Sequence, residues 1–307
     1  MLKALCFAGL FLPLCSDVLE AANIPLPEVT ACIPGKPPKE TVESCTKIMS
    51  LPDLDPVARR NAFLIRGTAY YLLNELGLAA ADLRSAQNIE ATSEVSLSLA
   101  SLYINAGKSE DAIREFSKVI DAGKATAQIF NGRGAALENA GRYDEAIRDF
   151  NEALTLDPNL LMVVNNRAAA YAKQGNYPAA VKDIDAVLAK DPDMPVALLN
   201  RCMFQERAGQ LALGLVSCER AEHLDPDNSF LVMGIGFVYY EAAHFEKAIE
   251  YFNKSLRLVP NDAKALYARG KAKVRLGNSF EGDADVVAAE RIQSDVGAFL
   301  ATSGFKP

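Results

Sequence analysis

Small and large apolar residues recur along this chain at fixed offsets, and the offsets repeat at one constant interval. Prolines expose the period: Pro158, Pro192, Pro226 and Pro260 are evenly spaced, which sets a 34-residue step. Residues 127–160, 161–194, 195–228 and 229–262 can be aligned on it. Position 8 is then small (Gly134, Ala168, Cys202, Gly236), and position 11 is usually larger (Leu137, Tyr171, Gln205, Tyr239). Position 20 is small again (Ala146, Ala180, Gly214, Ala248). Position 24 is usually apolar (Phe150, Ile184, Cys218, Phe252), and position 27 is small or aliphatic (Ala153, Val187, Ala221, Ser255). A strict period of this length is the mark of a tandem array in which each unit buries its apolar face on its neighbours.

The pattern extends to residues 93–126 through Ala100, Tyr103, Ala112 and Phe116, and to 60–92 through Gly67, Tyr70, Ala79, Leu83 and Ala86. Residues 263–296 match at Leu266, Gly270 and Val274 and then decay, with Gly282 in place of Ala, as a terminal cap would. This resembles the tetratricopeptide repeat, a helix–turn–helix of about 34 residues, in seven copies over residues 60–296. The resemblance implies an all-α fold, a right-handed superhelical solenoid of helix pairs, and the chain resembles bacterial envelope proteins of this type. Two helices of about a dozen residues cannot bury their apolar stripes alone. Small residues at positions 8, 20 and 27 are expected to let helices A and B of one hairpin approach closely, with positions 11 and 24 filling the space towards neighbours. Gly107, Gly141, Gly175, Gly209 and Gly277 fall at position 15, where a left-handed conformation would end helix A. The pairs Asp157-Pro158, Asp191-Pro192 and Asp225-Pro226 are expected to open the next repeat, Asp as N-cap and Pro at the first helical position.

Outside the array the pattern changes. Lys3 and the apolar run from Ala4 to Cys15 have the length of a signal-peptide core and are too short to span a bilayer, which takes about 20 residues. Residues 1–22 therefore read as a signal peptide, and the expected location is periplasmic or secreted, with no membrane span after cleavage. An uncleaved apolar N-terminus on a cytosolic or tethered protein is the alternative. Residues 23–59 read as a proline-rich arm followed by a lone helix B at Lys39 to Met49, capping the stack, and 297–307 as a C-terminal tail. Export leaves Cys32, Cys45, Cys202 and Cys218, an even number that suggests bridges. In the repeat register Cys202 and Cys218 hold positions 8 and 24 of one hairpin, so Cys202–Cys218 and the complementary Cys32–Cys45 are the expected pairs. The alternative is two small buried hydrophobes standing for Ala and Phe.

Charge and chemistry narrow the function. The net charge of −7 argues against nucleic acid as the main partner. His223 and His244 are the only histidines, and neither stands at metal-ligand spacing. Asp144, Glu145, Asp183 and Asp185 fall on positions of helix B expected to face solvent. The apolar stretch from Phe230 to Tyr240 is too short to cross a membrane. No catalytic residue, cofactor, metal or small-molecule substrate is expected. In tetratricopeptide proteins helices A line a concave groove, and the resemblance implies that positions 2, 5, 9, 12 and 13 point into it. Here these give Asn131, Glu138, Asn139, Asn165 and Lys173, then Leu199, Met203, Phe230, Met233, Phe237, Tyr240, Tyr267, Lys271 and Arg275. The peptide-binding set expected is Asn131, Asn165, Lys173, Met203, Met233, Phe237, Tyr240, Tyr267 and Lys271, with Met203, Met233 and Phe237 equally readable as core between repeats. Asn166 and Asn200 lack the Lys and Arg that a chaperone-type carboxylate clamp places beside them. The sequence thus points to a scaffold that holds a peptide or partner protein in the cell envelope. The alternative is a self-associating structural protein, and the oligomeric state stays open.

Overall fold

The computed structural model describes residues 32–302 and 305–306, and among these it has sixteen helices and no strand. The segment read as a signal peptide, and the arm up to residue 31, lie outside the described residues. A single helix, α1 (Pro38–Met49), comes first. Helix pairs then follow: α2 (Pro56–Leu72) with α3 (Leu76–Ile89), α4 (Ser93–Asn105) with α5 (Ser109–Asp121), and α6 (Ala127–Asn139) with α7 (Tyr143–Leu156). After them come α8 (Leu161–Lys173) with α9 (Tyr177–Lys190), α10 (Pro195–Arg207) with α11 (Leu211–Leu224), α12 (Ser229–Glu241) with α13 (Phe245–Leu258), and α14 (Ala263–Arg275) with α15 (Ser279–Ile292). Residues 297–307, expected as a tail, contribute to a further helix, α16 (Val296–Thr302). Val296 and Leu300, one helical turn apart, are its buried face. The chain divides into two compact units, Met1–Leu156 with α1 and three hairpins, and Asp157–Pro307 with four hairpins and α16.

Within a hairpin, position 8 lies against position 24. A Cβ placed on Gly134 would come 2.7 Å from the Phe150 ring, and one on Gly236 would come 2.7 Å from Phe252. Ala168 and Ile184 occupy the same two places and are fully buried. Positions 20 and 27 are sealed as the pattern requires: Ala146, Ala180, Ala248, Ala153 and Ala221 are all solvent-free. In the last hairpin both partners are glycine, and a Cβ on Gly270 would meet the Gly282 carbonyl oxygen at 2.6 Å. Gly282 is thus a closer backbone approach rather than a loosened cap.

The turn from helix A to helix B depends on one left-handed residue. Gly107, Gly141, Gly175, Gly209 and Gly277 have φ between +68° and +88°. Ala243 fills the same place with φ 60°. Its amide donates to the Tyr240 carbonyl at 2.9 Å, and the His244 amide donates to that of Tyr239 at 2.8 Å, which closes the helix as a Schellman motif. The Asp-Pro pairs act differently from expectation. Asp191 and Asp225 are the C-caps of α9 and α11, and the proline lies in the turn after them. Proline disfavours helical backbone in the residue before it, so Asp-Pro stops helix B. The start of the next helix A falls to a residue further on. Asn228 caps α12 by accepting from the amides of Phe230 and Leu231, and Asp262 caps α14 in the same way.

A second set of contacts, absent from the 34-residue apolar pattern, ties the hairpins internally. Position 7 is Arg and position 23 is Asp in four of them: Arg66–Asp82, Arg133–Asp149, Arg167–Asp183 and Arg269–Asp285. Each pair makes two N–H···O bonds between 2.6 and 2.8 Å. The carboxylates are buried. Asp183 is therefore inside, contrary to the expectation from helix B periodicity, while its neighbour Asp185 is exposed. Burial penalises the charged form of Asp285, but hydrogen bonds from Arg269 and Lys273 outweigh it and hold the carboxyl below its ordinary range. The guanidinium also reaches position 25 of the preceding helix B. Arg133 donates to Ser117 at 3.1 Å, Arg269 to Asn253 at 2.8 Å, and Arg66 to Thr46 of α1 at 2.9 Å. The α1 helix thus stands where a preceding helix B would.

The left-handed turn and the buried ion pair can each be tested alone. Nothing lies within 4 Å of a Cβ built on Gly209, so Gly209→Ala probes conformation without a clash and should cost about 1 kcal/mol. Ala243→Gly should gain about 0.5–1 kcal/mol, because it relieves the same strain. Urea titrations of both variants check the opposite signs. Asp183→Ala should cost about 3 kcal/mol by removing the buried carboxylate that faces Arg167, whereas Asp185→Ala should stay within about 1 kcal/mol. Equal losses in the two variants would remove the buried pair as the cause.

Candidate functional site

In the second unit, helices α8, α10, α12 and α14 repeat the positions expected to face a partner. Position 2 holds Met162, Val196 and Phe230, which are 51%, 45% and 59% exposed. Large apolar side chains at one register position of three consecutive repeats form a row left to solvent. Position 2 of the last repeat is Lys264, whose ammonium lies 4.4 Å from the centre of the Phe299 ring.

Further along the same helices the surface is closed. Met233, Tyr240 and Tyr267 are buried in one cluster with Val296, Leu300 and Phe305, and Phe237 packs against it. The Phe305 ring centre is 4.6 Å from Tyr240, 5.4 Å from Phe237 and 6.4 Å from Tyr267. Phe237 stands edge-on to Phe252 at 5.3 Å. The Lys271 ammonium sits 5.2 Å from the Tyr267 ring. Beside Phe305 lies a shallow pocket of about 90 Å³, open to solvent and lined by Met203, Glu206, Arg207, Phe237, Glu241 and Leu300. Burial and the nearby Glu241 carboxylate push the Glu206 carboxyl above its ordinary value. The Tyr240 hydroxyl is buried, which raises its pKa. Arg275 acts on it in the opposite sense, through its charge and a hydrogen bond.

Of the residues expected to bind, Met203, Met233, Phe237, Tyr240, Tyr267 and Lys271 thus gather around the C-terminal segment. Asn165 accepts a 3.0 Å bond from the Asn200 side chain, which links neighbouring helices A. Lys173 is exposed at the end of α8, apart from the cluster. Asn131 belongs to the first unit and is buried on α6. Met162 and Val196 are not in the set expected from sequence, although stepping back from Phe230 by one repeat and then another finds both. Phe305 is also outside that set, and only the Val296–Leu300 spacing hints that the tail has a buried side.

The cysteine pairs lie at bonding distance. Cys32 and Cys45 have sulfurs 2.09 Å and Cα atoms 4.7 Å apart, and Cys202 and Cys218 are at 2.14 and 5.5 Å. Cys202–Cys218 sits in the hairpin where position 23 is Ser217 instead of Asp. There Arg201 bonds Ser217 at 3.2 Å and finds its carboxylate on Asp185 of the preceding repeat at 2.8 Å. Among the described residues no three His, Cys, Asp or Glu side chains group as metal ligands, and no helix is long and apolar enough to cross a membrane.

Models of the tetratricopeptide repeat match residues 97–160, 139–202 and 231–262, so the chain carries tetratricopeptide repeats. A curated relative, the photosystem I assembly protein Ycf3 of Acaryochloris marina, is 35% identical over 81 residues, 26% of this chain and 49% of that protein. The chain thus spans about half the length of the curated relative it matches. Among solved structures, a tetratricopeptide repeat protein from Parabacteroides merdae superimposes with a TM-score of 0.69 at 18% identity, over 76% of this chain and 93% of that one. Yeast Tom70 gives 0.57 at 15% identity, over 83% and 56%. These likenesses establish the all-helical repeat fold. Such repeats are typically non-catalytic, and the fold supports a protein–protein interaction scaffold in general.

The Cys202–Cys218 pair, 16 residues apart, should contribute about 3 kcal/mol when oxidised. Denaturant unfolding of the chain purified from an oxidising compartment, with and without reductant, measures it. A Cys202→Ala, Cys218→Ala double variant should match the reduced chain and lose its response at this site. Alkylatable thiols at Cys32, Cys45, Cys202 and Cys218 in the native chain from that compartment would refute both pairings.

Proposed function

We propose that this chain is an exported scaffold of the cell envelope, periplasmic or secreted, which holds a partner polypeptide on the helix A face of residues 161–275. The observation that carries the reading is the exposed row Met162, Val196 and Phe230. Three large apolar side chains exposed at the same turn of successive helices are the kind of surface residue that partners cover. An extended or helical segment lying across the repeats would meet one of them per repeat. The sulfur pairs support export, because disulfides persist in oxidising compartments. No residue is assigned a catalytic role.

The test uses the full chain with a photo-crosslinker at position 230, expressed in its own cell envelope. Adducts with a second polypeptide are expected, and their yield should fall about tenfold when Met162 and Val196 are both replaced by Ser, as at a hot-spot surface. Helical circular dichroism should not change. Undiminished adducts would reject the row as the binding surface. For location, a chain lacking residues 1–22 should remain with the cytosolic fraction; its recovery with the envelope would reject export by that segment.

A second reading, self-association, is favoured by one observation on α15, where Phe280 is 91% exposed with Val287 and Ile292 also open. Sedimentation at micromolar concentration decides it: a monomer removes this reading.

A further inference from the structure

The last helix B, α15, turns its apolar side elsewhere than its predecessors do. In the hairpins from residue 93 to 262, position 21 is apolar: Ile113, Ile147, Val181, Leu215 and Ile249. Ile113 shows its use, lining one cleft with Arg133 and Leu137 of the following helix A. Position 25 is polar in the same hairpins (Ser117, Asn151, Asp185, Glu219, Asn253), and Ser117 and Asn253 accept from the arginine of the following repeat. In α15 the two are exchanged, with Asp283 at position 21 and Val287 at position 25. Phe280, at position 18, stands where Glu110, Asp144 and Glu246 stand in other repeats. Phe280, Ala284 and Val287 therefore share one face of the helix, and all three are exposed.

This is the reverse of what the end of an array needs, since a terminal repeat stays soluble through a polar outer face. The chain does not cover the stripe itself. Helix α16 lies on helix A of the hairpin instead: Gly297 is set against Tyr267 of α14, and Val296 and Leu300 join the same cluster. A further repeat stacked in the manner of the others would not suit the stripe either, because the side chain it would bury is Asp283.

The charges beside the stripe point to the occupant. Asp283 and Arg291 stand about one turn before and one turn after Val287, both exposed, and neither has an ion-pair partner among the described residues. A two-fold axis through Val287 sets Asp283 of each copy against Arg291 of the other, with Val287 against itself and Glu290 opposite Ala284. One helix thus carries both halves of the contact, which is what an isologous interface requires. Head-to-tail stacking has no such match, since α1 at the other end presents Lys39, Glu43 and Lys47 to solvent.

We infer that the outer face of α15 is the interface of a two-fold homodimer. The two α15 helices run antiparallel, Phe280, Ala284 and Val287 are covered, and Asp283 pairs with Arg291 of the second copy. One helix from each copy makes a small interface, so the dimer forms at micromolar rather than nanomolar concentration. The inference rests on the self-association reading and adds the symmetry and the pairing. It uses no residue of the Met162, Val196 and Phe230 row, so each copy keeps that row open.

The test is sedimentation equilibrium of the full chain across the micromolar range. The unaltered chain should dimerise without forming larger species. Asp283→Arg and Arg291→Asp each set like charges across the axis, and each should weaken association at least about tenfold. An equimolar mixture of these two variants should dimerise again, because opposite charges then meet at both contacts. Phe280→Ser should also weaken association about tenfold, as the loss of an aromatic anchor does, and neither charge variant should rescue it. All the altered positions are exposed, and unchanged helical circular dichroism shows that the fold is kept. A monomer at every concentration would remove the self-association reading and this inference with it. A dimer indifferent to both charge reversals, or a mixture that stays monomeric, would keep self-association and overturn the two-fold pairing alone.

Discussion

In each hairpin of the second unit the distance between helix A and helix B is set by what stands at positions 8 and 24. Where position 8 is glycine, as at Gly236, the aromatic ring from position 24 lies so close that a single added methyl would collide with it. Where position 8 is alanine, position 24 shrinks to Ile184. Where both are cysteine, the sulfurs meet. A Cβ on Gly270 would meet Val286 of position 24 and also the Gly282 carbonyl of position 20, so that hairpin closes backbone to backbone as well. Interiors packed at crystal density favour such compensation, because a larger side chain on one helix leaves less room on the other. The remaining features depend on that spacing. Position 7 can reach position 23 with a planar fork only if the helices are close, and the left-handed residue at position 15 is the tightest way to reverse the chain between them.

The hairpin of residues 195–228 shows how the constraint is met when a part changes. Its position 23 is serine, so Arg201 has no carboxylate at that place in its own hairpin and turns to Asp185 on the preceding helix B. That ion pair joins neighbouring repeats but no longer ties α10 to α11. The cysteines at positions 8 and 24 supply that connection covalently. In the hairpin of 229–262 the solution is apolar, with Ile235 fully buried and the Tyr251 hydroxyl donating to Glu222 at 2.7 Å. Buried ion pairs, sulfur pairs and aromatic packing are thus alternative clamps on one geometry. A buried pair is a modest source of net stability but a demanding one in register, since neither partner tolerates the loss of the other.

The apolar periodicity makes the array legible, because the volumes at positions 8, 20, 24 and 27 are written directly in the residue types. The charged ladder is not legible by the same means. Amphipathic reasoning assigns Asp183 to solvent, since it weighs a carboxylate by its own polarity and ignores the Arg167 guanidinium on the facing helix that neutralises it. The useful signal is a second period, Arg and Asp recurring at the same 34-residue step. The Asp-Pro pairs are legible as boundaries but not in direction: proline restricts the residue before it, so it ends a helix more readily than it begins one further downstream. For the candidate site, the register finds Phe237, Tyr240 and Tyr267 but not what covers them. Phe305 lies beyond the last full repeat, where no period exists to weigh it, and it is buried with its amide bonded to the Leu300 carbonyl.

The two parts of the helix A face in the second unit differ in what they leave open. Met162, Val196 and Phe230 are exposed, so a partner would meet them without displacing anything. Phe237 and Tyr240 are instead held between two rings of helix B, Phe252 and Phe245, and the ring of Phe305. Side chains enclosed from both directions contribute to stability rather than to a surface, because uncovering them would return their apolar area to water. On this account the open row, and not the aromatic cluster, is the part of the face available to a partner.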